Sequence, residues 1–368
     1  MTIVPRPTLA LDATYAADRN RTGTGVYSWE LIAALASLPE LRRQVEGLLL
    51  CFRPGSYLRR ARRHAWPAGC RTGVLWEPWI LPRRAALFHG LNQRLPQARF
   101  PARVVTIHDV FPLSSADYST PEFQRRFSGI IRHAVRTADR IIAVSNATRE
   151  QLLQHADAAD ERIRVVHHGL RAASPPALDD THRFLRERLQ IEPHHPFFLS
   201  VGTIQTRKNI ANIVLAARQA GARLVIAGGD GYGAERVHEL IRRENMEQRV
   251  IRLGHASADD LRHLYSAATA LVFASLEEGF GLPILEAMSY GLPVITSNCS
   301  AMPEVGGDAA LYVDPRDVSQ IAQAMARVRD DLALADQLRR LGKQRAAEFT
   351  WELCARRTWQ VYEELLGG

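Results

Sequence analysis

The chain has 368 residues, 46% of them apolar and 23% charged, which is more than a single core usually organises and enough for two. No apolar run approaches the roughly 18 residues of a membrane span, and Met1 to Leu11 lacks the basic start, long apolar centre and small-residue cleavage site of a secretory signal. A cytoplasmic location is therefore expected. The net charge of +8 does not read as a nucleic-acid surface, because only Lys208 and Lys343 are lysines, the arginines are spread along the chain, and no basic run is interleaved with aromatics.

Short β-rich runs alternate with helical patterns, which argues for parallel sheets covered by helices on both faces. Leu9 to Ala13 opens the series. Gly23-Thr-Gly25 precedes a helical pattern over Val26 to Leu38, where the missing side chains either let backbone N–H groups approach a phosphate or simply ease the helix entry. It is not the dinucleotide fingerprint, since Ser28 stands at the third glycine position. Further strands are expected over Val45 to Phe52, Thr72 to Trp76, Ala86 to His89, Val104 to His108, Arg140 to Val144 and Ile163 to His167. Of these, Val104 to His108 ends a buried run on His108-Asp109, at the strand end where functional groups of α/β domains gather. A capping Asp beside a satisfied core His is the structural alternative. Arg59, Arg60, Arg62 and Arg63, then Arg83 and Arg84, and the helical pattern Pro121 to Ala138 with Arg125, Arg126, Arg132 and Arg136 concentrate positive charge. They suit anionic lipid headgroups or an anionic acceptor.

After Ser174-Pro175-Pro176 the pattern restarts with Phe197 to Val201, Leu224 to Ala227, Val250 to Leu253, Ala270 to Ala274, Val294 to Thr296 and Leu311 to Val313. Two doubly wound domains follow, over 1–176 and 177–350, with the cleft between them as the natural ligand site. From Asp317 the chain turns helical and closes with Trp351 to Leu366, capped by Thr350.

Three stretches of the second domain carry chemistry. Val201-Gly202-Thr203 leads through a flexible turn to Arg207-Lys208-Asn209, two cations at the start of a helix; their charge opposes the helix dipole, so a nearby anion explains them better than solvent does. Gly228-Gly229-Asp230-Gly231 reads as a turn into the next helix. Glu278-Gly279-Phe280-Gly281-Leu282-Pro283-Ile284-Leu285-Glu286 holds two carboxylates around a glycine-bracketed turn that opens a helix. The helix start favours an anion such as a diphosphate, so one carboxylate lies beside the anion and the other a loop away, as a sugar nucleotide requires. A surface turn with a helix-favouring Glu is the plainer alternative. No Asp-x-Asp motif and no Cys or His ligand spacing appears, and Cys51, Cys70, Cys299 and Cys354 are scattered. No metal or other cofactor is expected, with Arg207 and Lys208 supplying positive charge instead.

The order of these motifs resembles retaining glycosyltransferases of family 4, which have the GT-B fold, over essentially the whole chain. The pieces that carry the resemblance are Gly23-Thr-Gly25-Val-Tyr27, Ile107-His108-Asp109-Val110, Ala138 to Ser145, His167-His168-Gly169, Val201-Gly202-Thr203 with Arg207-Lys208-Asn209, and the Glu278/Glu286 pair. Trp76-Glu77 with Leu81-Pro82, together with His167-His168-Gly169, is similar to the bacterial branch that moves mannose from GDP-mannose in polysaccharide assembly. The resemblance implies that Glu286 binds the ribose hydroxyls and Glu278 a hydroxyl of the transferred hexose. It implies that Arg207 and Lys208 hold the diphosphate, helped by backbone N–H groups of Gly25 and of Phe280 to Leu282, with Gly23, Gly202, Thr203, Gly279 and Gly281 shaping the turns. It further implies that His108 stands beside the transferred sugar, that the leaving diphosphate takes the acceptor's proton on the same face, that the acceptor is a glycan or lipid-linked acceptor, and that the last helix, 351–368, returns to the first domain. The enzyme is expected in the cytoplasm, peripheral at the inner face of the membrane. Two positions depart from the family pattern: Val26 stands where the mannose branch often has Arg, and Gln205-Thr206 replaces Glu-Pro. The rival reading is a nucleotide-sugar-binding regulatory protein without turnover, against which the presence of both His108 and Glu278 argues.

Overall fold

The computed structural model describes residues 6–18, 21, 23–77, 80 and 85–367, so Leu81-Pro82, Arg83 and Arg84 lie outside the described residues. Residues 1–114, 121–169 and 349–368 make one compact unit, and 115–120 with 170–348 make a second. Residues 170–176 thus go with the second unit rather than the first.

In the first unit seven strands pair in parallel: β1 (Thr8–Asp12), β2 (Gly47–Phe52), β3 (Cys70–Val74), β4 (Ala85–Gly90), β5 (Ala102–Ile107), β6 (Arg140–Ala143) and β7 (Ile163–Val165), in the order β3-β2-β1-β4-β5-β6-β7. Leu9, Ala10, Leu11, Leu87, Phe88, Val104 and Val105 are all buried, the continuous apolar reading of a sheet covered on both faces. The third strand ends earlier than Trp76. Leu75 N–H still bonds Phe52 O at 2.8 Å, but Trp76 turns away to pair antiparallel with Ile80.

The first helix, Gly23–Ser37, begins at the glycines instead of after them. Gly23 takes φ +37°, and a Cβ on Gly25 would stand 3.1 Å from Tyr15 O, so the opening turn is wedged against the preceding loop. The last helix, Trp351–Leu366, packs on this first helix. Trp351, Ala355, Trp359 and Tyr362 share one core with Tyr27, Leu31 and Leu35, and Thr350 caps the start by accepting from Leu353 N–H at 3.1 Å. Gly169 makes that docking possible, because a Cβ there would fall 2.3 Å from Trp351 N. A buried polar chain crosses the same core: Tyr27 Oη to Thr106 Oγ1 at 2.9 Å, Thr106 Oγ1 to His89 Nε2 at 2.9 Å, and His89 Nδ1 to Tyr362 Oη at 2.6 Å.

The second unit has six parallel strands, β8 (Phe198–Val201), β9 (Leu224–Ala227), β10 (Val250–Gly254), β11 (Ala270–Phe273), β12 (Val294–Ser297) and β13 (Leu311–Val313), in the order β10-β9-β8-β11-β12-β13. Its core joins Ile213, Val214 and Ile226 to Ile321, Met325 and Leu338 of the helices Val318–Asp330 and Leu332–Ala347. In both sheets the chain order reverses once, between β1 and β4 and between β8 and β11. Open α/β sheets bind ligands beyond the carboxyl ends of the strands at that reversal. No helix among the described residues is long and apolar enough to cross a membrane.

Candidate active site

The turn that leaves β8 is held by two glycines in contact. Gly202 adopts φ +128°, and a Cβ on Gly228 would fall 2.0 Å from Gly202 O. The two loops then zip together through Ile204 N–H to Gly229 O at 2.9 Å, Gly231 N–H to Ile204 O at 3.0 Å and Thr206 N–H to Tyr232 O at 3.1 Å. Gly228 to Gly231 is therefore a clamp on the β8 loop as well as the entry to the helix Ala234–Arg243. Clamped in this way, the loop tightens into the helical turn Thr206–Lys208, and Asn209 (φ +58°) opens the helix Ile210–Gln219. Asn209 Nδ2 is buried and donates to Ala274 O at 2.9 Å and Pro315 O at 2.6 Å, tying the turn to the end of β11.

Across the reversal, the loop after β11 brings Glu278 to those cations. Arg207 Nη1 donates to Glu278 Oε2 at 2.7 Å and to Glu277 O at 3.1 Å, and Lys208 Nζ bonds Glu278 Oε1. The Glu278 side chain is only 8% exposed, with Arg207 at 14% and Lys208 at 13%. Burial by itself would raise the Glu278 pKa, but Arg207 and Lys208 outweigh it and hold the carboxylate at about 2. The anion that the sequence demands beside Arg207 and Lys208 is thus supplied in part from within. Two cations against one carboxylate leave the trio net positive. Lys208 also lies 5.0 Å from the Phe273 ring and runs beside Gly202, whose φ of +128° is one that other residues rarely adopt.

Glu278 continues into Gly279, Phe280 and Gly281, and Gly281 (φ +107°) precedes the helix Leu282–Ser289. Pro283 occupies the second helical position, one later than its usual place. Among the described residues the N–H groups of Gly281 and Leu282 have no acceptor, so two donors stand open at the head of this helix. Glu286 sits one turn further on, half-buried, and accepts from Tyr265 Oη at 2.7 Å through Oε2. Burial raises its pKa, and the Tyr265 hydrogen bond opposes the rise. Oε1 has no protein partner among the described residues and is left to accept from a ligand hydroxyl. Thr203 is exposed on the β8 loop.

In the first unit His108 follows β5 and is buried. Its Nε2–H donates to Leu91 O at 2.9 Å, so Nδ1 is the acceptor nitrogen, and the imidazole packs edge-on to Tyr27 and beside His168, with centroids 4.7 and 5.4 Å away. Burial pulls its pKa down to about 4, against the Leu91 hydrogen bond, so it is neutral at pH 7. Gly25 lies in the opening turn of the first helix, where an N–H group has no intrahelical acceptor.

The fold thus joins Arg207, Lys208 and Glu278 in one cluster with Gly202 against it, sets Glu286 on its own hydrogen bond, and places His108, Gly23 and Gly25 in the other unit. Tyr265 shapes the site without a sequence signal of its own, and Asn209, though part of the Arg207-Lys208-Asn209 run, does so through partners that the run does not show. Tyr265 reaches Glu286 from the helix Ala258–Ala267, whose spacing reads only as amphipathic, and the two carbonyls that hold Asn209 lie far along the chain. Among the described residues no group of three or more His, Cys, Asp or Glu side chains is placed to hold a metal ion.

The model of Glycosyltransferase Family 4 matches residues 22–173, and that of Glycosyl transferases group 1 matches residues 182–345. The chain is 29% identical over 374 residues to O-antigen chain mannosyltransferase B of Escherichia coli, covering 94% of this chain and 96% of that protein. Sucrose-phosphate synthase of Thermosynechococcus elongatus superposes with a TM-score of 0.76 at 23% identity, covering 98% of this chain and 100% of that one. HepE of Anabaena, solved in complex with UDP and glucose, superposes with a TM-score of 0.72 at 17% identity, covering 97% and 99%.

Proposed function

Since this chain belongs to glycosyltransferase family 4, with the GT-B fold and glycosyltransferase activity that go with it, we propose that it moves mannose from GDP-mannose to a glycan or lipid-linked acceptor with retention of configuration. The observation that carries the donor half is the second unit's arrangement of partners. Open N–H groups of Gly281 and Leu282 and the net positive Arg207-Lys208-Glu278 trio suit a diphosphate, and the open Oε1 of Glu286 suits the ribose hydroxyls. The E. coli relative supports mannose; the UDP bound to HepE keeps UDP-hexose as the competing donor.

In the reaction the bond from the sugar C1 to the diphosphate oxygen breaks and a bond from C1 to the acceptor oxygen forms. The acceptor's proton passes to the departing diphosphate on the same face. Arg207 and Lys208 stabilise the charge that develops on that diphosphate, the part a metal plays elsewhere, while Glu278 fixes both cations and turns toward a sugar hydroxyl. His108, buried and neutral with Nδ1 as its acceptor nitrogen, is suited to take a hydrogen bond from a sugar hydroxyl.

The exposed arginines Arg125, Arg132 and Arg136 of the helix Pro121–Thr137 suit a cytoplasmic membrane face, at about 1 kcal/mol each near an anionic surface. Of the other basic group, Arg60 is engaged by Asp18 at 2.5 Å, while Arg59 and Arg62 are exposed and add to the same proposed contact. Thermal denaturation against GDP, UDP, ADP and their sugars tests the donor, because a ligand at about a hundred times its Kd adds roughly 2.7 kcal/mol. Stabilisation by GDP and GDP-mannose is expected. A response confined to UDP replaces the donor, and no response to any nucleotide overturns the reading.

A further inference from the structure

The first unit carries a second charged site at its own chain reversal, between β1 and β4. A cavity of about 410 Å³ opens there beyond the carboxyl ends of β1 to β4, within the size range of small-molecule sites. Asp12 ends β1, Arg53 follows β2, Glu77 follows β3, Arg94 comes from the loop after β4, and Arg126 and His133 face in from the helix Pro121–Thr137. Gly90 builds that loop: a Cβ on it would fall 1.9 Å from Arg94 O, so only glycine lets the chain fold back and aim Arg94 inward.

None of the three guanidinium groups has a hydrogen-bond or ion-pair partner among the described residues, although two carboxylates line the same cavity. Arg94 has only the face of Phe127, 5.6 Å away. Burial and the neighbouring Arg53 and Arg126 charges push its pKa down, which records the crowding of like charges. His133 Nε2 is shut off from solvent and also lacks a partner. The carboxylates are each half used: Asp12 Oδ1 accepts from Thr14 N–H and Oγ1 at 3.1 and 2.6 Å, and Glu77 Oε1 accepts from Ala98 N–H at 2.8 Å, leaving Asp12 Oδ2 and Glu77 Oε2 open. Three unpaired forked cations fit the oxygens of a phosphoryl group, and the two open carboxylate oxygens fit sugar hydroxyls.

We infer that this cavity binds a sugar carrying a phosphate or diphosphate, the phosphoryl oxygens on Arg53, Arg94 and Arg126 and the sugar hydroxyls on Asp12 and Glu77, and that this is the acceptor. The acceptor role rests on the glycosyltransferase reading above. The same chemistry comes from a free sugar phosphate or from a sugar on a lipid diphosphate.

Calorimetric titration of the full chain with mannose 1-phosphate, and separately with mannose linked to farnesyl diphosphate, tests the assignment. Binding that weakens roughly tenfold or more in Arg94→Gln and in Arg126→Gln, with nucleoside diphosphate affinity unchanged, is the expected result. Equal affinity for both probes identifies a free sugar phosphate as the source, and binding of the farnesyl probe alone identifies the lipid-linked one. Arg53→Gln replaces either variant should it fail to fold. The assignment is overturned if neither probe binds the wild type, if affinity is unchanged in the arginine variants, or if it is lost instead in Arg207→Gln. Failure of GDP, UDP and ADP to bind would remove the donor reading alone, and the cavity would still answer to the sugar-phosphate titration.

Discussion

Tyr265 donates its hydroxyl proton to Glu286 Oε2 at 2.7 Å, which fixes one oxygen of the carboxylate and leaves the other for a ligand. If that oxygen takes the ribose, Tyr265→Phe frees the carboxylate to rotate and should weaken nucleoside diphosphate and sugar nucleotide alike, by roughly three- to tenfold. Glu286→Gln should weaken both further. Calorimetry on the two variants checks this, and equal affinity in wild type and both variants would remove the nucleoside from Glu286.

Glu278 should behave differently, because it serves two cations as well as, on the proposed reading, the sugar. Removing one member of a buried charge group leaves the others uncompensated, so Glu278→Gln should destabilise the second unit by on the order of 3 kcal/mol. Turnover should fall. Affinity for the bare nucleoside diphosphate should hold or rise, since Arg207 and Lys208 are released to the diphosphate. Loss of nucleotide binding in this variant would show that the trio acts through its geometry alone.

Activity should persist after exhaustive treatment with EDTA, the charge on the leaving diphosphate being met by Arg207, Lys208 and the open helix N–H groups. Assay of chelated enzyme with and without added Mg²⁺ or Mn²⁺ decides it: activity lost and then restored by either ion would assign that charge to a metal.

Acid should weaken the two units in different windows. Burial lowers His108 to about 4 and His89 to about 3 from an ordinary value near 6.5, so in between the unfolded chain binds more protons. The stability they support is whole above pH 6.5 and falls as pH drops toward 4, by about 1.4 kcal/mol for every tenfold difference in proton affinity between the folded and unfolded chain. Glu278, held at about 2, stabilises the second unit above pH 4.5 and loses that contribution only between 4.5 and 2. All six tryptophans, Trp29, Trp66, Trp76, Trp79, Trp351 and Trp359, fall within the residue ranges of the first unit, so their fluorescence isolates it. Its melting temperature should decline from pH 6.5 to 5 while far-UV dichroism retains a more acid-resistant phase. A flat fluorescence midpoint across that range would show that the histidines titrate normally.

The strands were legible because both faces of each sheet are covered: runs such as Leu224 to Ala227 and Val104 to Ile107 are apolar throughout or nearly so and flanked by turn residues. Arg207, Lys208 and Glu278 were legible because they lie in the loops that leave β8 and β11, and Glu286 because it follows Glu278 into the helix Leu282–Ser289. Their mutual pairing was not, since Arg207 and Glu278 are 71 residues apart and meet only because β11 lies against β8. The same limit hid Tyr265 and the convergence of Arg53, Arg94 and Arg126, whose chain neighbours give no hint of a shared cavity. The expected helix start at Val26 was late for a local reason: glycines read as loop, and here the contact of Gly25 with Tyr15 O draws them into the first turn.

Gly169 and Trp351 touch where the chain leaves the first unit and where it returns, with 170–348 between the two passes. Gly169→Ala should therefore destabilise the first unit by at least about 2 kcal/mol, since the obstructing atoms are backbone and cannot rotate aside. Chemical denaturation followed by tryptophan fluorescence measures this, and a change below about 0.5 kcal/mol, the ordinary range for a neutral surface substitution, would mean that the last helix shifts to accommodate the methyl.

The contact also sets an order of events during synthesis. Trp351, Trp359 and Tyr362 enter the ribosome exit tunnel only after the whole second unit has been translated, so the sheet translated first stays without one of its covering helices while the sheet translated second acquires all of its own. A nascent chain of which only residues up to 348 have cleared the exit tunnel should thus hold a finished second unit joined to an open first one, with Tyr27 and Leu31 uncovered and within reach of chaperones. The half proposed to bind the nucleotide would be complete before the half proposed to bind the acceptor.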